Sequence, residues 1–204
     1  MKPHIPVSLQ GLIQDELESR STLGGSRPWW QRPVVLAVDL ADDAAAALLW
    51  RPGGVVGFAL FERNAGRWRQ AGGGAEDGHP RREILRGRPR AETAGPARIL
   101  TVHGSSFVRR RGPDPKIPSP GNREWLAGLH LRLAREVDYI DAGSRRITVP
   151  AHGHAVVVWG APPTLGVPVS SRPPIVACRR DGAVLSELGP CSSVDSATLR
   201  AGVA

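Results

Sequence analysis

The sequence predicts a mainly β protein, with a short N-terminal helix plus an antiparallel meander followed by an Ig-like, β-sandwich region of about eight strands. Three observations carry that prediction. Gly and Pro, 24 and 19 in number, punctuate 204 residues too often for a helical bundle. Between residues 34 and 71, four short apolar runs are separated by turn residues only. From Leu129 to Leu133, Leu129, Leu131 and Leu133 alternate with His130 and Arg132, the period of two that marks a strand with one buried face.

In order along the chain, Leu9, Leu12, Ile13 and Leu17 recur at steps of three to five behind Ser8, so residues 8–19 form an amphipathic helix capped by that serine. The meander follows. Its runs are Val34–Leu40, Ala44–Trp50, Val55–Glu62 and Arg67–Ala71, with turns at Asp42-Asp43, Arg51-Pro52-Gly53-Gly54 and Asn64-Ala65-Gly66. The second run holds four alanines, which favour helix, yet it is framed as a strand. Residues 1–74 make one unit and 75–96 an Arg/Gly/Pro-rich connector, because the latter hold almost no apolar side chain besides Ile84 and Leu85. The sandwich occupies 97–190. Its strands are Ala97–Val102, Ser105–Val108, Leu129–Leu133, Val137–Asp141, Arg145–Val149, Ala155–Trp159, Ile175–Cys178 and Ala183–Leu188, and Asp181-Gly182 is its strongest hairpin turn. Leu129, Leu131, Leu133, Val137 and Tyr139 share the parity of its buried face. The Cys–Trp–Cys spacing of immunoglobulin domains is absent, so the term describes architecture alone. Residues 191–204 read as a loose C-terminal tail.

Composition limits the function classes. No apolar run approaches the ~20 residues that span a bilayer, and the start lacks the apolar stretch of a secretory signal, so the expectation is a cytoplasmic protein without a membrane partner. Cys178 and Cys191 are too few for a disulfide framework. In the hairpin Cys178 faces Leu185, which leaves Cys191 about six residues further on, roughly 20 Å at ~3.4 Å per residue and beyond bridging distance. Both are expected as free thiols. Composition sets no oligomeric state.

Charge is the most unusual property. Of 27 basic residues only Lys2 and Lys116 are lysine, and the net charge is +8. Arg81, Arg82, Arg86, Arg88, Arg90, Arg98, Arg109, Arg110 and Arg111 stand against Glu83 and Glu92, so residues 81–111 hold nearly the entire excess. Guanidinium groups bind carboxylates and phosphates through paired N–H donors, which makes this segment the candidate contact for an acidic protein or a nucleic acid. Trp29 and Trp30, bracketed by Arg27 and Arg32, add two indoles that stack on bases or close a small core.

Catalytic signals are sparse. Val34-Val35-Leu36-Ala37-Val38-Asp39, with Asp42 and Asp43 behind it, is similar to the opening of ribonuclease-H-like nucleases and sugar-kinase-like folds. That resemblance implies a cation held by Asp39. In those folds a helix and a parallel strand bearing further acids come next, whereas here the Arg/Gly/Pro connector does. His152-Gly153-His154 places two imidazoles ~7 Å apart on one side of a strand, but a metal needs further ligands. His130, His103, Asp138 and Asp141 are the candidates on separate strands. No nucleophile elbow, phosphate loop or dinucleotide fingerprint accompanies them. The expected class is therefore a non-catalytic binding protein with no cofactor and no metal. A nucleic-acid binder using the Arg-rich segment with Trp29 and Trp30 is the first alternative, and a metal-dependent hydrolase using Asp39 or His152/His154 the second.

Overall fold

The computed structural model describes residues 34–50, 56–64, 66–75, 87–90, 99–110, 124–163, 171–193 and 195–200. The helix expected over 8–19 and the Trp29-Trp30 pair lie outside them. Among the described residues eleven strands follow in order: β1 (Val34–Ala41), β2 (Ala44–Trp50), β3 (Val56–Asn64), β4 (Arg67–Ala75), β5 (Leu100–Arg109), β6 (Trp125–Leu133), β7 (Tyr139–Ala142), β8 (Arg145–Thr148), β9 (His154–Ala161), β10 (Ile175–Cys178) and β11 (Val184–Leu188), before the short helix α1 (Ser196–Arg200). No helix among the described residues is long and apolar enough to cross a membrane.

The first four strands pair in chain order as an antiparallel meander, β1-β2-β3-β4. Asp42 takes a left-handed φ of 52° in the two-residue turn between β1 and β2, a conformation Asp tolerates better than most residues. The alanines of β2 form a strand because Ala44, Ala45, Ala46 and Ala47 are all fully buried between β1 and β3, and pairing plus burial on both faces outweighs helix propensity. Downstream strands form two more sheets, β5-β6-β9 and β11-β10-β7-β8, all with antiparallel pairs. The chain is thus mainly β, as its turn-rich composition predicts.

The three sheets stack with β5-β6-β9 in the middle. On one side Leu126, Val156 and Val158 pack against Ala46, Leu48, Phe58 and Leu60 of the meander. On the other, Leu129, Leu131, Leu133, Val157 and Trp159 pack against Ile140, Ile175, Ala177 and Leu188. The meander and the downstream strands therefore share a core. Gly128 makes the first contact close: a Cβ there would lie 2.6 Å from Leu60 Cδ2 and 2.7 Å from Phe58 Cζ.

Central position changes several local expectations. Leu100–Val102, from the run expected over Ala97–Val102, and Ser105–Val108 belong to one strand, β5, whose register slips between Val102 and Gly104 and leaves His103 in a bulge. β6 is buried on both faces, so His130 is 1 % exposed although the leucine alternation put it on a solvent face. Leu129, Leu131, Leu133 and Val137 are buried as expected. Tyr139 points the other way, half-buried on the outer face of β7, with the Arg146 guanidinium 3.9 Å above its ring. In the β10–β11 hairpin Gly182 adopts a φ of 89° and a bulge sets Cys178 opposite Val184, one residue short of the expected Leu185. Both cysteines are free, Cys178 buried and Cys191 exposed. Within the C-terminal stretch, α1 docks on β11: Ser186 Oγ donates to Asp195 at 2.5 Å and accepts from the Ala197 N–H at 3.1 Å.

Candidate functional site

Four arginines of the 81–111 segment are described: Arg88 and Arg90 in residues 87–90, and Arg109 and Arg110 at the end of β5, where strand alternation sends neighbouring side chains to opposite faces. Arg109 is exposed, with its guanidinium 5.0 Å from the centroid of the Trp125 ring on the paired strand β6. Arg110 turns back onto the β1–β2 turn. Its Nη1 donates to both carboxylate oxygens of Asp43, at 2.7 and 2.8 Å, in a cleft of about 590 Å³ also lined by Asp42 and Glu124. Arg88 runs inward, and its Nη2 donates to the carbonyls of Ala134 and Val137. Burial lowers its pKa against the pull of Asp138 and Glu136. Arg90 is exposed. Of the arginines read from the sequence, Arg88 and Arg110 thus hold the fold together, while Arg90 and Arg109 face solvent. Arg81, Arg82, Arg86, Arg98 and Arg111 lie outside the described residues, as do Trp29 and Trp30.

Asp39 projects from β1 into the seam with β9. Its Oδ2 accepts from the Val158 N–H and from Arg145 Nη1, both at 2.8 Å. Arg145 also donates to the carbonyls of Leu40 and Val158, each at 2.5 Å. Burial pushes the Asp39 pKa up, and the Val158 N–H and Arg145 pull it back. Because Asp39, Val158 and Arg145 come from different sheets, this arrangement ties all three layers together. The carboxylate that resembles a cation ligand is thus occupied by an arginine and a backbone amide. The sequence gives no sign of this pairing, since its partners stand 106 residues apart.

At the opposite end of the same seam, four of the six histidines meet. His130 Nε2 and His154 Nδ1 are 2.9 Å apart. The His103 ring, on the β5 bulge, lies 5.5 Å from that of His130 and 5.9 Å from that of His154, and the His152 ring is 5.8 Å from His154. His152 Nε2 donates to the Leu36 carbonyl at 3.0 Å, so its Nδ1 is free of hydrogen and accepts the His154 N–H at 3.1 Å. His154 Nε2 is buried without a hydrogen-bond partner among the described residues. A bare lone pair there costs less than an orphaned N–H, which places the His154 proton on Nδ1, donated to His130. Arg132 closes the cluster from below, donating to the carbonyls of His152 at 2.7 Å and Gly87 at 3.2 Å.

The sequence names His103 and His130 as partners for the His152/His154 pair, and the fold brings both to it. Asp138 and Asp141 go elsewhere, to the Arg180 N–H and to Arg146. The nitrogens, however, are turned onto each other and onto backbone groups. Among the described residues no group of three or more His, Cys, Asp or Glu side chains is arranged to hold a metal ion. Burial first, and then Arg132 and the neighbouring imidazoles, lowers the His154 pKa to about 2, and burial likewise lowers that of His152. Both rings are neutral at pH 7.

No family model, no curated protein and no solved structure matches this chain.

Proposed function

We propose that this is a non-catalytic binding protein that contacts an acidic partner through the arginine-rich segment 81–111. The observation that carries the reading is the concentration of charge: residues 81–111 hold an excess of seven positive charges out of a total of +8. The solvent-facing position of Arg109 supports it, because a guanidinium already committed to an internal ion pair, such as that of Arg110, contributes little to a partner. Long-range attraction from such a cluster raises the rate of encounter with an anionic surface and weakens as salt rises. A nucleic acid is the second reading. It is favoured by Arg109 lying over the Trp125 indole, a pairing of cation and aromatic ring suited to phosphate and base together.

The test is capture of partners from lysate with and without nuclease, alongside retention on heparin and on random-sequence DNA at ~50 mM salt. A variant with Arg81, Arg82, Arg86, Arg109 and Arg111 changed to Ser, keeping Arg88 and Arg110 for the fold, is expected to lose the captured partner. Retention on DNA that falls steeply with salt supports the nucleic-acid reading. A protein captured despite nuclease and lost in the variant supports the acidic-protein reading. If the variant captures the same partners as the unaltered chain, the arginine segment is not the contact.

A further inference from the structure

We propose that the seam between β1 and β9 is an acid-operated latch, held shut by His152 and His154 in their neutral form and released when they take up protons. The geometry gives each ring a task that only the neutral state performs. His152 clamps the seam by donating Nε2–H to the carbonyl of Leu36, the residue displaced by the β1 bulge, while its Nδ1 accepts the N–H of His154 at the start of β9. A proton on Nδ1 removes that acceptor and sets two N–H groups against each other. His154 donates Nδ1–H to His130, and its Nε2 is sealed from solvent with no group among the described residues to receive a further hydrogen. A proton there creates a buried charge with an unsatisfied donor.

Among the described residues, the groups that act on the two rings offer no counter-charge. The groups that act on His154 are Arg132 and His130 from β6, His152 from the turn before β9, and His103 from β5, and Arg88 from the 87–90 segment adds to the field at His152. All are basic. Asp39, a carboxylate on the seam, lies further along β1 and is held by Arg145 and Val158. Its pKa is raised in the closed state, so it works in the opposite direction, binding protons more readily with the seam shut.

The sign follows. Both imidazoles have a lower pKa closed than open, so closure is fully favoured above the ordinary histidine value of ~6.5 and weakens as pH falls below it, until the closed-state values are reached. Opening frees both rings to bind protons, and two protons taken up together make the response steep. The seam packs the meander onto the central sheet, so release exposes Val156 and Val158 and the apolar face opposite them.

The test is hydrogen exchange at the Val158 amide, whose bond to Asp39 crosses the seam, and at the His154 amide, whose bond to His152 Nδ1 is lost when that ring is protonated, measured by NMR on the whole chain between pH 6.5 and 4.5 and corrected for intrinsic rates. With two protons entering, protection falls by up to about 80-fold from pH 5.5 to 4.5. In His152→Gln the amide keeps a donor for Leu36 and an acceptor for His154 but does not titrate, so the fall shrinks to about 9-fold. A shallower fall in the variant than in the unaltered chain supports the latch. Equal steepness in the two proteins, or protection independent of pH, overturns it. A wild-type measurement stands even if the variant does not fold: imidazole resonances of His152 or His154 titrating near 6.5 while those amides stay protected also overturn it.

Discussion

Truncating Leu131 to alanine tests the stacked arrangement most directly. Leu131 is fully buried on the face of β6 that meets the third sheet, with Val102 and Ala155 beside it on the flanking strands and Ile140 and Ile175 among the residues of the same core. Removing three carbon groups forfeits ~2.4 kcal/mol of transfer free energy at ~0.8 kcal/mol each. The neighbours cannot close the gap, because Leu131 belongs to a strand pinned from both faces. A residual cavity of roughly 60–80 Å³ at ~24 cal/mol per Å³ then adds about 1.5–2 kcal/mol. The total of about 4 kcal/mol is a large part of the ~5–15 kcal/mol that holds a typical domain. In urea, with an m-value of ~2 kcal/mol/M, the midpoint is expected to move down by about 2 M without a change of slope. A shift below about 0.5 M refutes the placement of Leu131 in the core. Tyr139→Ala serves as the contrast: its ring lies on the outer face under Arg146, and its loss is expected to move the midpoint far less than Leu131→Ala does.

Three further outcomes follow from side-chain contacts. Arg145→Ala, which strands the buried Asp39 carboxylate, is expected to cost ~3–5 kcal/mol in a chemical melt, whereas Arg145→Met combined with Asp39→Asn costs distinctly less, because no charge is left unpaired. Arg110→Ser is expected to lower stability by no more than ~1 kcal/mol, since its partner Asp43 is half exposed, while Arg109→Ser leaves the melt unchanged and reduces retention on a polyanion. In a thiol-labelling time course Cys191 reacts at once and Cys178 only on unfolding, because Cys178 is 3 % exposed and burial pushes its thiol pKa up.

Short-range signals in the sequence are legible where the chain turns tightly. The hairpins at Asp42-Asp43, Gly143-Ser144 and Asp181-Gly182 emerge from turn residues between apolar runs, and the meander follows from its spacing. Burial is less legible. Alternation says which side of β6 is apolar, but not that the polar side meets another sheet, so His130 is misread until the meander is laid over it. The same gap hides how the histidines pack, though not which they are, because His103, His130 and His154 come from β5, β6 and β9 and meet only through pairing that skips β7 and β8. It also hides the roles of Arg88 and Arg110, because a guanidinium that ties down carbonyls or caps a turn has the same sequence signature as one waiting for a ligand. Nothing local distinguishes Arg145 from Arg146, yet one crosses the molecule to Asp39 and the other bonds Asp141 on the adjacent strand.

The central sheet also sets a timetable for the newborn chain. The meander is complete once Ala75 has been made, and its contacts are local enough to form early. Its inner face, with Leu48, Phe58 and Leu60, meets β6 first and is fully covered only when β9 takes its place, and β9 begins at His154, roughly 80 residues later. At ~5–20 residues per second a ribosome needs about 4–16 s to deliver that cover. During that interval an apolar sheet stands open beside the exit tunnel. Chaperone occupancy on stalled nascent chains is therefore expected to rise once β4 emerges and to fall only after residue 161 clears the ribosome.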